Sequence, residues 1–592
     1  MRKNNITDII IIGDTMKKYL VLLILLIIPF YAQAADDNYM VYVDENKNIT
    51  VTLNNQPISD YSNLVALEDG VLVVKEGAVI ERISHNTDLT ITSHDKEVTI
   101  NSFYSENKNT NTSAYKVLNI DHMHNNSTNS YFNYHYSIYI NESYFENIKP
   151  TSTHYRIADD VGVKITKSTI KGYDSTDFNV WGGNIIIEDT NMEAWIIDAN
   201  EGSIEIRNSN IKFKAGIYTE LPSAHIIIED SVLDGKDGEY TYIEAQAGLK
   251  NSDGIMIKNS TIDCLRIGMS YGIYDENAKN PVLSIINSNI HTREHIRSEN
   301  TFEFINSNIT TNYLLLGSSI PYEKYDSTYS TIKDSIVNVL SGGTNSYTYN
   351  YLYGSLVLDN SYLHADGYVN LYYLYLKNSA FILNRANESY YVKNEAIRIQ
   401  RLLDIDNSYF YVENQVGPSA VFFAPTASIN TPNNTFFIDK EYNNLSFNDY
   451  TYEDRWGDSI SGKAFFLDNN VSSSLLLTTK KKVTFKIQGG TWADGSTDDI
   501  VVTKDIWTKL TNEDIPTGML GDGEGYWKVV PSTDYIKDDL EFVYVFGKVK
   551  GEEEVTNPKT GVFTYTFRCL ILLAIVFYIY TKVYKKTLFR RY

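Results

Sequence analysis

Cysteine is almost missing from this chain: there are two in 592 residues, Cys264 and Cys569, and the second stands inside an apolar run near the C-terminus. With one usable thiol, an exported form could have no disulfide framework. Positive charge is also in deficit, 52 Lys and Arg against 74 Asp and Glu, for a net charge of −22. A surface so acidic repels phosphate, which argues against nucleic acid as a partner. No phosphate-binding Gly loop or four-ligand zinc spacing occurs anywhere. Tyrosine, by contrast, is abundant at 47. Aromatic platforms for sugars would use it, but AT-rich codon usage accounts for the same excess, and composition alone assigns no site.

The length suits several ordinary domains or one elongated repeat domain with attachments. Long hydrophobic runs are confined to the two ends. Near the start, Lys17 and Lys18 precede "YLVLLILLIIPF", and Ala32-Gln33-Ala34 follows as a small-residue cleavage site. This is the order of a secretory signal, with Met16 as the effective start, residues 1–34 removed and the mature chain beginning at Ala35. Near the end, residues 562–580 would reach roughly 28 Å as a helix, nearly a bilayer's width. Arg568 lies close to the outer end of that run, where it can snorkel, and Lys582, Lys585, Lys586, Arg590 and Arg591 follow. The basic flank sets the orientation from outside to inside.

Just before this span stands Asn557-Pro558-Lys559-Thr560-Gly561, after an acidic linker at 551–556. Pentapeptide, span and basic tail together (557–592) resemble the cell-wall sorting signal of Gram-positive surface proteins, usually Leu-Pro-x-Thr-Gly. The resemblance implies a sortase-type transpeptidase as partner, cleavage between Thr560 and Gly561, and transfer of the Thr560 carbonyl to a peptidoglycan amine. Pro558 fixes an extended, kinked backbone, and Gly561 permits close approach to the scissile bond. Asn557 departs from the usual Leu, which leaves the transpeptidase class open. A retained membrane anchor is the alternative.

Between the ends one phrase recurs: "ITKSTI", "IEDTNM", "IRNSNI", "IEDSVL", "IKNSTI", "IINSNI", "FINSNI", "IKDSIV", "LDNSYL", "LKNSAF", "IDNSYF". Its central Ser or Thr serves as an anchor, at Ser143, Ser168, Thr190, Ser209, Ser231, Ser260, Ser288, Ser307, Ser335, Ser361, Ser379 and Ser408, with Thr435 as a later member and Ser102 as an earlier one. Apolar residues fill the positions three and five before the anchor, the pattern of a strand with one buried face. Apolar residues also fill the second position after it. That shift of parity requires a corner near the anchor. Asn or Asp stands immediately before most anchors, and these residues tolerate left-handed backbone. Two before the anchor the charges alternate, Glu188, Arg207, Glu229, Lys258, and then Lys333, Asp359, Lys377, Asp406. Parallel strands stacked about 4.8 Å apart would set each against its opposite.

Phrase, corner and charge rows resemble the parallel β-helix of pectate-lyase-like proteins. The resemblance implies an all-β fold: a right-handed parallel β-helix of about fourteen coils over 81–445, roughly 65 Å long at the strand spacing. An N-terminal cap is expected over 35–80 and a connecting segment over 446–479. A small β-rich stalk module at 480–550, with Trp492 and Trp527 in its core, precedes the transmembrane sorting helix.

Chemistry on such a body must be found at a site, since the fold hosts lyases, glycosidases, adhesins and plain rods alike. Three after the anchor, Asp234, Asp263 and His291 fall in one outward row, with Arg266, Arg293, His295 and Arg297 expected in the loops that follow. Adjacent carboxylates could share a proton or a calcium ion, and the arginines could hold an acidic sugar. A solvated face of mixed charge is the commoner origin of such a row. The Gly-His-Gly block of polygalacturonase relatives is missing. Asp121-His122-Met123-His124 sets two imidazoles on one strand face, a candidate metal pair, although two ligands do not make a site. The expectation is therefore a monomeric, wall-anchored adhesin or glycan- or matrix-binding rod without a cofactor. The alternatives are a wall-displayed polysaccharide lyase or glycoside hydrolase, and a structural surface protein without a ligand.

Overall fold

The computed structural model describes residues 38–546 apart from 107–115, 154–160, 173–176, 181–182, 201, 221–223, 239, 246–253, 270–281, 299, 318–327, 341–350, 367, 385–396, 415–418, 424–427, 431–435, 439–445, 454–458, 467–472 and 533. The described residues are all β, without α-helix. They pack as two compact units. The larger takes the chain up to Lys481 together with Thr503–Lys509 and Tyr535–Asp538, and the smaller takes Lys482–Val502, Leu510–Asp534 and the chain from Asp539.

In the larger unit, strands from successive phrases pair in parallel and in register, as in a β-helix. Ile204–Arg207 lies between Asn184–Glu188 and His225–Glu229, with Ile206 against Ile187 on one side and Ile228 on the other. After the corner, Asn210–Thr219 pairs with Asn191–Ala199, and a bulge between Ala194 and Ile196 turns the strand again. Both turns bring apolar side chains inward: Ile185, Ile187, Ile204, Ile206, Ile211, Ile217, Ile226 and Ile228 are all fully buried. Every coil thus adds a layer of branched aliphatics to one continuous core.

The corner before each anchor is left-handed, with φ between 47° and 51° at Asp189, Asn208, Asp230, Asn259, Asn287, Asn306, Asp334, Asn360, Asn378 and Asn407. Such a backbone carries the anchor amide out of the regular ladder, and the anchor hydroxyl restores its partner. The Ser231 N–H donates to Ser260 Oγ at 3.2 Å, Ser260 to Ser288 at 3.1 Å and Ser288 to Ser307 at 3.1 Å. The same relay runs from Ser143 to Ser408 without a gap. Each of these hydroxyls also donates to a carbonyl two residues back, as Ser260 does to Lys258 at 2.7 Å. Outside it, the Asn amides hydrogen-bond from coil to coil, Asn259 to Asp230 at 2.9 Å and Asn306 to Asn287 at 2.9 Å.

The charge row forms as the alternation requires: Glu188, Arg207, Glu229 and Lys258 are register neighbours, and so are Lys333, Asp359, Lys377 and Asp406. Arg207 reaches Glu229 at 3.1 Å and Lys258 reaches it at 3.7 Å. Partly exposed pairs of this kind are worth roughly 0–1 kcal/mol each, so they select register more than they add strength.

One expectation for the early coils is corrected. Ser102 is not an anchor. It opens Ser102–Ser105, which pairs with Arg82–His85 and Ser130–His135, and the left-handed corner of that coil is at His94 and Asp95. The anchor position that sequence reading missed is Met123, whose N–H donates to Ser143 Oγ at 3.1 Å. Methionine in place of serine hides the phrase. Thr435 lies outside the described residues.

Both ends of the parallel ladder are covered. At the first, Tyr39–Val43 joins Arg82–His85 in parallel and carries the antiparallel strands Ile49–Leu53 and Gln56–Ile58. At the last, Tyr409–Asn414 receives Ser473–Gln488 antiparallel, and the hairpin of Ser446–Glu453 with Ser459–Phe466 closes on Ser419–Phe423. An uncovered coil would offer a free strand edge to other chains. Two stretches within 480–550 also belong to this unit. Trp507 is 3% exposed, and its indole N–H donates to the Asn378 carbonyl at 2.9 Å. Lys537 lies 4.1 Å from the Trp507 ring and donates to Asn360 Oδ1 at 3.1 Å.

In the smaller unit, Lys482–Gln488 runs parallel to Leu540–Phe546, against which Gly525–Trp527 lies antiparallel. Phe485 stacks on Phe542 at 5.7 Å. Trp492 is buried, with its indole N–H on the Asp498 carbonyl at 2.8 Å, while Trp527 is half-buried and edge-on to Phe485.

A polar pair interrupts the core of the early coils. His85 and His135 are fully buried, with their Nε2 atoms 3.1 Å apart, and His85 Nδ1 meets the Thr87 carbonyl at 2.7 Å. Since that carbonyl can only accept, His85 carries its proton on Nδ1 and His135 donates through Nε2. His135 Nδ1 is left as a buried acceptor without a partner. Burial lowers the pKa of His85 to about 4 and holds that of His135 well below the usual imidazole value.

Two tests follow from these contacts. Replacing Ser260 by Ala orphans the buried Ser231 N–H and is expected to cost about 1–3 kcal/mol in denaturant melts. Ser260→Thr should stay near the parent, because Thr190 already fills this position in another coil. The histidine pair sets an acid limit. Both imidazoles have folded pKa values below the unfolded value of roughly 6.5. The unfolded chain therefore binds more protons between about pH 6.5 and 4, and stability is lost as pH falls through that window. The slope is up to about 1.4 kcal/mol per pH unit for each imidazole. Melting midpoints measured from pH 7 to 4.5 should fall in the parent and flatten in His85→Phe/His135→Phe.

Candidate functional site

The outward row forms where its spacing places it. Asp234, Asp263 and His291 are register neighbours on Val232–Asp234, Thr261–Met269 and Asn289–Ser298. Their partners are protein atoms. Asp263 Oδ2 lies 3.0 Å from His291 Nδ1, and Asp234 meets Lys236 Nζ at 3.4 Å while accepting the Lys236 N–H at 3.2 Å. Asp263 Oδ1 is buried without a partner. Among the described residues no group of three or more His, Cys, Asp or Glu is placed to hold a metal ion.

The arginines do not sit in loops. Arg266 and Arg293 lie on the same two strands as Asp263 and His291, because each strand continues through a bulge after Cys264 rather than ending. Arg293 reaches back to the 235–241 turn and donates to the carbonyls of Lys236, Gly235 and Gly238 and to Thr241 Oγ1, at 2.7 to 3.2 Å. This guanidinium is a strut for a neighbouring turn. Arg266 faces Glu244 at 3.7 Å and covers the Tyr242 ring at 5.2 Å. Beyond it His295, in register with Arg266, is hydrogen-bonded to the Tyr313 hydroxyl at 2.8 Å. Burial, with Arg266 and Arg297 nearby, lowers the His295 pKa to about 4, and burial beside Glu294 raises that of Tyr313 to about 12. Neither value suits proton transfer near neutrality. Cys264 is buried, its thiol pKa is pushed up by desolvation, and it is no nucleophile.

The His122 and His124 pair is also corrected. His122 occupies a left-handed corner (φ 48°) between Asp95 at 3.4 Å and Glu142 at 3.2 Å, whereas His124 lies on the next strand against the Tyr144 ring. The corner turns the two imidazoles onto different faces. Ala32, Ala34, Asn557, Pro558, Lys559, Thr560, Gly561 and the span 562–580 lie outside the described residues. Among the described residues no helix is long and apolar enough to cross a membrane.

A feature that composition alone did not locate lies further along. Tyr329, Ser355 and Tyr373 are register neighbours, as are Val357, Tyr375 and Asp404, and Asp359, Lys377 and Asp406. The small Ser355 and Val357 thus lie between coils bearing tyrosines, and Tyr329 stands 6.2 Å from Tyr373 and 6.1 Å from Tyr375, ring to ring. The result is an open groove of about 490 Å³ lined by Tyr329, Val357, Tyr375, Lys377 and the carboxylates Asp359, Asp404 and Asp406. Its sequence signal was the alternation in "LYYLYLKNS", legible only once the outward parity of that strand is known.

Comparison with family models, curated proteins and solved structures finds no match to this chain.

The roles of the outward row are separable by mutation. Arg293→Ala removes a donor from three carbonyls and a hydroxyl, of which the Gly235 carbonyl keeps the Gly238 N–H and Thr241 Oγ1 keeps the Leu265 N–H, and should cost about 1–3 kcal/mol in denaturant melts. Arg293→Lys, lacking the planar fork, should recover only part of that loss. Asp234→Ala/Asp263→Ala breaks partly exposed pairs and the turn bond from the Lys236 N–H, and should change stability by less than about 1 kcal/mol.

Proposed function

We propose that this chain is a cell-wall-attached surface protein whose body works as a binding rod for glycan or matrix. In this reading the body is a right-handed parallel β-helix of about fourteen coils, carried on a small β-rich stalk and held at the C-terminus by a sorting signal. The secretory signal at 1–34, the Asn557–Gly561 pentapeptide, the apolar span and the basic tail support display at the wall. The observation that carries binding over catalysis is the engagement of the candidate catalytic side chains with other protein groups. Arg293 is bound to backbone oxygens, Asp234 to Lys236 and Asp263 to His291, while the tyrosine groove lies open. A transpeptidase and peptidoglycan are the partners for attachment, and the ligand is met by the outward faces of the coils.

One observation favours the enzyme reading: a half-exposed imidazole held by a carboxylate at 3.0 Å, His291 on Asp263, is the geometry of an oriented general base. The two readings separate on activity. Polysaccharide cleavage by the parent that disappears in Asp234→Ala/Asp263→Ala, with the β spectrum unchanged, would make the enzyme the better account.

Attachment has its own test. Thr560→Ala should hold the protein in the membrane fraction and remove it from muramidase-released wall. Extraction of the whole parent population by detergent would show that no covalent link forms.

A further inference from the structure

We propose that the groove lined by Tyr329, Val357 and Tyr375 is a binding site for neutral pyranose units of a polysaccharide, with Asp404 as its polar anchor. The inference rests on the binding reading above and names the ligand class and the residues. A sugar ring has an apolar C–H face and an edge of hydroxyl donors. The groove is complementary to both. Tyr329 and Tyr375, whose rings meet edge to face at 6.1 Å, form one contiguous aromatic platform beside the short Val357 side chain. Aromatic faces of this kind bury apolar area at little conformational cost.

At the polar end the lining has three carboxylates, Asp359, Asp404 and Asp406, and one ammonium, Lys377. Asp404 lies beside Tyr375, and among the described residues no hydrogen bond or ion pair engages its carboxylate, so the oxygens serve as acceptors for ligand hydroxyls. A pair of adjacent sugar hydroxyls fits that need, since both can donate to one carboxylate. The surplus of negative charge disfavours uronates and sulfated sugars, whose own charge would be repelled inside the groove. A purely apolar partner is disfavoured as well, because it would strip water from Asp404 and return no donor. Small concave sites of this volume commonly combine apolar walls with a few placed polar groups.

The test uses the detergent-solubilised full chain in affinity gels containing dextran, galactan or mannan on one side and polygalacturonate or hyaluronan on the other. Retardation by at least one neutral polysaccharide and by neither acidic one is expected. Tyr375→Ala and Asp404→Asn should each weaken that retardation about tenfold, equivalent to about 1.4 kcal/mol. Asp234→Ala/Asp263→Ala, on other coils, should bind as the parent does. Unchanged retardation of both groove variants would overturn the site while leaving a glycan-binding rod in place. Retardation by the acidic polysaccharides alone would overturn the ligand class. A parent that none of the five polymers retards would overturn the site, and the test of Thr560 at the wall would still stand.

Discussion

The relay of anchor hydroxyls is the contact on which the stacked coils depend. A left-handed residue at every corner lets the chain turn sharply enough to enclose its core, but it removes the anchor amide from the ordinary ladder. Left unpaired and buried, each such amide would cost about 1–3 kcal/mol, and the cost would recur with every coil. One serine hydroxyl per coil resolves this by accepting the displaced N–H and donating to a carbonyl two residues back. The side chain is short enough to stay within the corner, and threonine can replace it because the extra methyl leaves the hydroxyl where it is.

Around this spine the other rows act mainly as selectors. The isoleucines supply burial, and they would do so in several registers. The alternating charges from Glu188 to Lys258 and from Lys333 to Asp406 would not, because a slip of one coil sets like against like. The asparagine amides tie neighbouring corners and tolerate the left-handed backbone at the same positions. Strength and specificity are thus divided between inside and outside. The loops that vary in length between coils then change the surface without disturbing the repeat.

That division bears on where function can reside. Outward positions are exempt from the core's demands, yet many of them are spoken for: Arg293 braces a turn two coils away, Arg266 lies over Tyr242, and Asp263 holds His291. The tyrosine groove differs because small residues on the intervening coil leave room between larger ones. Its Asp404 carboxylate is an acceptor, and the ligand chemistry proposed for it is the chemistry that supplies donors.

Much of this architecture was legible along the chain because a coil repeats its physics. Parity on either side of the anchor, Asn or Asp before it and charge alternation two before it are local patterns that survive without coordinates, and strand pairing, corner backbone and register agree with them. Reading failed where the phrase lost its markers, at Met123, and where a corner intervened, between His122 and His124. It failed again past the bulge after Cys264, where an expected loop is a continuation of the same strand. The sequence by itself determined the repeat, the buried faces and the outward row of Asp234, Asp263 and His291. Only the tertiary structure decided which of those groups are already engaged and which tyrosines enclose a groove. Such neighbours come from separate coils, and bulge and side-chain reach set their meeting.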